Sequence, residues 1–157
     1  DTPTGNIPRG GSSVTLAKFT IRASGEALRI KWLPFKLTQT GTSTWASGGD
    51  TVDTHIRNIT IVADNGDQLG TTINTPSSCS SASTAATTYV CSFGSPTSNI
   101  NYLIPSNTTR VFSIRVDLQS AGTIASLKAS LVDPATAAGL TTAFAGSNVE
   151  GQISFQP

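Results

Sequence analysis

A chain of 157 residues with a net charge of +1 and 12% charged side chains has the length of one domain able to bury its own core. Charges so few and so balanced argue against a nucleic-acid or polybasic membrane surface, both of which need clustered Lys and Arg. No apolar run is long enough to span a bilayer, and Ser, Thr, Gly and Ala fill many positions where Lys and Glu are common.

Asp1 to Ser13, broken by Pro3, Pro8 and Gly10-Gly11, reads as an extended arm or linker ahead of a single domain spanning 14–157. The chain has no Met and starts at Asp1, so a processed product or a fragment is expected. Val14 to Ala23 is the first strand. Leu16 lies in one phase and Phe19, Ile21 and Ala23 in the other, which predicts a β-bulge or a change of face near Lys18. Ser24-Gly25-Glu26 makes a turn, and Ala27 to Thr38 continues as a longer strand. There Leu28, Ile30 and Trp32 share one phase while Leu33, Phe35 and Leu37 share the other. The strand should therefore bend from one sheet to the other beside Pro34.

Gln39 to Asp53 is a polar loop with Trp45 near its middle. His55 to Ala63 is a strand with Ile59, Ile61 and Ala63 in phase. Asp64-Asn65-Gly66-Asp67 carries the Asn-Gly hairpin signal, and Gln68 to Ile73 would be the return strand. Thr75 to Thr88 is low-complexity Ser, Thr and Ala, followed by alternating Tyr89, Cys91 and Phe93 as a short inward-facing strand. Asn101 to Ile104 leads to the turn Pro105-Ser106-Asn107-Thr108-Thr109.

Arg110 to Leu118 has the clearest pattern in the chain. Phe112, Ile114, Val116 and Leu118 fall on one side, with Ser113, Arg115 and Asp117 on the other, a half-buried strand with one wet face. Ala125, Leu127, Ala129 and Leu131 share a phase within a further strand, Thr123 to Val132. Ala135 to Ala145 fits either a helical turn or an irregular extended segment, and Val149, Gly151, Ile153 and Phe155 alternate as a last strand. No segment sustains a period near 3.6. The roughly eight to ten short strands predict an all-β fold, an antiparallel two-sheet, immunoglobulin-like sandwich with little or no helix.

Cys79 and Cys91, the only cysteines, would pair in an oxidising compartment and close a short loop. The alternative is two free thiols in a reducing one. His55 is the single histidine; with Asp50 and Asp53 it reads as solvated polar residues at a loop end, not as a metal or hydrolase site. No Gly-x-Ser-x-Gly is present, and the acidic residues are scattered mainly over turns. Asp64-Asn65-Gly66-Asp67 lacks the further acids of a calcium loop and is better explained as a turn. No catalytic residue, cofactor or metal is expected. Asn58-Ile59-Thr60 and Asn107-Thr108-Thr109 are N-glycosylation sequons, Asn107 in a turn and Asn58 on the outward phase of a strand. Trp32 reads as core, whereas Trp45 is the better candidate for an exposed contact with a glycan or a neighbouring subunit.

Leu-Ala-Lys-Phe-Thr-Ile-Arg-Ala-Ser-Gly-Glu-Ala-Leu-Arg-Ile (16–30), then Leu-Pro-Phe-Lys-Leu (33–37), resembles the opening of a β-sandwich module of secreted bacterial surface-layer and pilus-like proteins. Residues 104–118 and 121–127 resemble that module's proline turn, following strand and next segment. The resemblance covers most of the chain and implies a filament, surface-layer or adhesin subunit; it carries over no catalytic or binding residue. The 75–91 loop has no counterpart in it. The expected role is therefore an extracellular structural subunit, homo-oligomeric or polymeric, with Ile7, Val14 and Trp45 as candidate assembly contacts. The alternative is an adhesin or carbohydrate-binding sandwich module with glycan partners.

Overall fold

In the computed structural model, which describes residues 5–40, 55–76, 79–81, 88–95, 97–120, 126–132 and 149–152, the regular elements are ten β-strands. In chain order they are β1 (Val14–Arg22), β2 (Leu28–Ile30), β3 (Leu33–Thr40), β4 (Ile56–Ala63), β5 (Ser80–Ser81), β6 (Thr88–Phe93), β7 (Tyr102–Ile104), β8 (Thr109–Leu118), β9 (Ser126–Leu131) and β10 (Val149–Gly151). Among the described residues every strand pairing is antiparallel, in ladders ordered β1-β8-β4, β10-β2-β7 and β5-β6-β3-β9.

The amphipathic strand β8 is the middle of the first ladder. Phe112, Ile114 and Val116 have no solvent exposure, as the two-residue period predicts, and Leu118 packs partly against them. Both neighbours of β8 carry one extra residue. In β1 the register slips between Thr15 and Ala17, slightly earlier than the expected position near Lys18, so that Leu16 and Ala17 are both buried. In β4 it slips between Arg57 and Thr60, around Asn58, whose φ is 52°. That left-handed residue bends the strand and lets Ile56, three positions before Ile59, share the inner face with Ile59, Ile61 and Ala63.

The long strand expected at 27–38 is split at Lys31 and Trp32, where the apolar phase changes. β2 belongs to the second ladder and β3 to the third. Backbone bonds extend each ladder toward the break: Ile100 N donates to Lys31 O at 2.7 Å, and Val132 N donates to Pro34 O at 3.2 Å. β3 follows β2 after only two residues, so the second and third ladders continue one another as one bent layer, with β2–β3 as its spine. The β1-β8-β4 ladder forms the opposing layer. One apolar cluster joins them, drawing Ile30, Leu33, Phe35, Leu37, Phe93 and Ile104 from the bent layer and Leu16, Ile61, Phe112, Ile114 and Val116 from the other. The fold is thus an all-β, sandwich-like arrangement, and apolar burial on this scale is its main stabilising term. Phe19 stacks on Phe112 at 5.3 Å, and Tyr102 meets Phe112 edge-on at 5.8 Å across the layers.

The hairpin at 63–67 forms as its Asn-Gly signal predicts. Ala63 N donates to Asp67 O, Gly66 N donates to Ala63 O, and Gly66 takes a φ of 92°. The expected return strand does not run continuously from Gln68 to Ile73. It touches β4 through separate bridges, Val62 with Gln68 and Ile59 with Ile73. Between them Gly70 turns left-handed at φ 66°, and Leu69 is sunk into the core. Ala135 to Ala145, Ile153 and Phe155 lie outside the described residues; Val149 to Gly151 do form the expected strand, β10.

Candidate functional site

Residues 11–13 meet the end of β8, and one carboxylate organises the junction. Asp117 Oδ1 accepts from Ser13 N at 2.7 Å, and its Oδ2 accepts from Asn58 Nδ2 at 2.8 Å. Both partners sit at left-handed φ, 53° for Ser13 and 52° for Asn58, so Asp117 holds two backbone positions that L-residues seldom adopt. The Asn58 bond first, and the Ser13 bond second, hold its carboxyl below the ordinary value of 3.8. Leu118 N adds a 2.8 Å bond to Gly11 O. Residues 11–13 are thereby tied to β8, whereas residues 5–10 are exposed throughout.

Other carboxylates are committed to structure. Asp64 bonds back to the start of β8 through Val111 N at 3.3 Å and Arg110 Nη1 at 3.5 Å. Asp67 Oδ2 accepts from Asn65 Nδ2 and from the Tyr102 hydroxyl. Partial burial, opposed by the Asn65 side chain, raises the Tyr102 pKa above 10.0. Glu150, on the second ladder, is buried and takes both Arg29 Nη2 and Lys31 Nζ. Lys31 Nζ also stands 5.2 Å from the centre of the Trp32 ring. Among the described residues no group of three or more His, Cys, Asp or Glu side chains is arranged to hold a metal ion.

Cys79 and Cys91 are bonded, with Cα atoms 4.9 Å apart. The β5–β6 register pairs Ser80 with Val90 and Ser81 with Tyr89, so the disulfide joins the next opposed positions and ties the polar tract to β6. No known protein family, curated protein or solved structure matches the chain.

Of the sequons, Asn58 is exposed on its bulge, but its amide nitrogen donates to Asp117. Asn107 is exposed in the 105–108 turn at φ 57°; its oxygen accepts from Gly25 N at 3.3 Å, a bond that does not use its amide nitrogen. Ile7 is 42% exposed on the arm, while Val14 packs against the core beside Val116. Trp45, Asp50 and Asp53 lie outside the described residues. Trp32 is buried, as its apolar strand suggests, and Tyr89 and Tyr102 pack against the core.

His55 departs from the solvated position expected of it: it is 1% exposed. Its carbonyl accepts from Gln119 N at 2.8 Å, which extends the β4–β8 pairing by one step. Two features had little sequence signal. Asp117 reads as an ordinary outward strand residue until the bulge at Asn58 is known, and Glu150 pairs with residues 121 and 119 positions away. Only the rarity of acids within strands singles Glu150 out.

Proposed function

We propose that the chain is an extracellular structural module of a filament, pilus-like polymer or surface layer, joined to its neighbours through the N-terminal arm. The observation that carries the reading is the contrast within the arm. Its base is fixed by Gly11 and Ser13, and residues 5–10 stand in solvent with Ile7 exposed. A fixed base aims the segment and lowers the ordering cost of docking it on another molecule.

β1 is a suitable acceptor. It is nine residues long, and among the described residues it has a ladder on one side only, formed with β8. An extended segment added to such an edge satisfies its unpaired N–H and C=O groups, with apolar side chains seated alternately. Ile7 supplies one anchor and Trp45 is a second candidate contact. Head-to-tail contact of this kind generates an open polymer when the rotation between copies does not close. The Cys79–Cys91 bond supports an oxidising compartment, in keeping with an extracellular location. No helix among the described residues is long and apolar enough to cross a membrane.

Removing residues 1–9 tests the reading, because it leaves the Gly11 and Ser13 bonds in place. The whole chain should form concentration-dependent polymers in sedimentation velocity. The shortened chain should remain monomeric with an unchanged unfolding midpoint. Polymers formed equally by both would sink the proposal.

A further inference from the structure

The outer face of the β1-β8-β4 sheet carries an oblique line of cations. Its residues follow from the register, since Phe112, Ile114 and Val116 face the core and alternate positions face out. Arg22 lies opposite Thr109, Lys18 opposite Ser113, Arg115 between Thr15 and Thr60, and Arg57 opposite Asp117. The line therefore starts on β1, crosses β8 and ends on β4, whose far side is bridged by Gln68 and Ile73. By strand geometry, the Cα atoms of Arg22 and Lys18 are about 13 Å apart, and those of Lys18 and Arg115 about 8 Å.

The balance of charge on this face is local. Elsewhere, Arg29 and Lys31 share the single carboxylate of Glu150, and Arg110 pairs with Asp64. Lys18, Arg22 and Arg115 take part in none of the ion pairs among the described residues. The Arg115 Nε is buried and has no hydrogen-bond partner among the described residues. The carboxylates at the two ends, Asp117 and Asp64, are already bonded to Ser13 and Asn58 and to Arg110 and Val111. Between the cations stand the hydroxyls of Thr15, Thr20 and Thr60, with Val62 and Val111 in the same outward phase and Ser113 only 9% exposed.

We propose that this face binds an acidic polysaccharide, a linear glycan with repeated carboxylate or sulfate groups. Arginine presents a fork of donors that fits such oxyanions, and the hydroxyls between can bond sugar hydroxyls. Several weak, spaced contacts along one polymer add through effective concentration, which suits a face whose cations are single and separated. A protein partner fits less well, because stable protein interfaces need an apolar centre with aromatic anchors. Here the large exposed apolar residue is Val111. Single-stranded nucleic acid would need aromatic platforms, and the described strands put none on this face. The proposal does not depend on arm-mediated assembly, since a monomeric domain presents the same face.

The test uses polygalacturonate and dextran sulfate as probes, with neutral dextran and poly-glutamate beside them, in low salt and with the intact 157-residue chain. Binding is read by microscale thermophoresis. The wild type should bind one or both acidic glycans, lose them as salt rises, and ignore neutral dextran. Lys18→Gln with Arg115→Gln should weaken binding roughly tenfold without moving the unfolding midpoint. Lys36→Gln with Lys128→Gln, an equal change in charge at exposed positions of β3 and β9, should leave it unchanged. Equal weakening by both pairs would reduce the effect to net charge and overturn the site. Poly-glutamate binding as tightly as the glycans, or no glycan binding at all, would overturn the ligand assignment.

Discussion

Replacing Ile114 by Ala probes the packing of β8 at its centre. Ile114 is fully buried, paired with Ala17 on β1 and Ile61 on β4. The substitution removes three buried carbon groups, which at about 0.8 kcal/mol each loses about 2.4 kcal/mol of transfer free energy. The cavity adds to this. Ala17 is too small to fill it, and Ile61 is held between Thr60 and Val62, both paired with β8, so little collapse is available. The expected total is about 3–4 kcal/mol, within the usual range for buried aliphatic truncations. Val111→Ala, on the same strand but 37% exposed, should change stability by less than about 0.5–1 kcal/mol. Urea denaturation with the disulfide intact measures both, provided the slope is unchanged. Equal costs at the two positions would refute the assigned phase of β8, and with it the layer arrangement.

Reducing the Cys79–Cys91 bond, which closes a loop of sequence separation 12, should cost about 3 kcal/mol; two free thiols in freshly isolated native protein, found by mass measurement after alkylation, would contradict the pairing. Asp117→Asn should flatten the loss of stability in acid. The depressed carboxyl contributes stability above the ordinary value of 3.8 and loses it as pH falls through the lower folded value, so identical pH–stability curves would contradict its role. Gly94→Ala should destabilise by about 1–3 kcal/mol, because φ is 73° and a Cβ would stand 3.0 Å from Lys31 O and 3.1 Å from Ser98 O; an unchanged thermal midpoint would contradict that geometry. Glu150→Gln should cost about 1–3 kcal/mol by weakening its bonds to Arg29 and Lys31, and a neutral effect on urea unfolding would show that the pair is not needed.

The parts of the fold carried by local pattern were legible from sequence. The phase of β8, the change of phase at Lys31-Trp32 and the Asn-Gly turn each depend on residues within a few positions of one another. What escaped depends on contacts distant in sequence. A bulge at Asn58 becomes visible only when β4 is laid against β8, where one strand has a residue more than the other. His55 is tied by its main chain to Gln119, and the buried Glu150 pairs with two cations near the chain's beginning. The outward cations were visible as residues, but their alignment across three strands requires the register. The lack of a strand in residues 5–13 matches the break in periodicity there, whereas the bond that holds Ser13 depends on Asp117, more than a hundred residues away.

Assembly through the arm is the central functional claim, and negative-stain electron microscopy of the native material tests it most directly. A repeating filament or lattice built from domains of this size, lost when residues 1–9 are removed, is the predicted result. Discrete single domains at every concentration would contradict it.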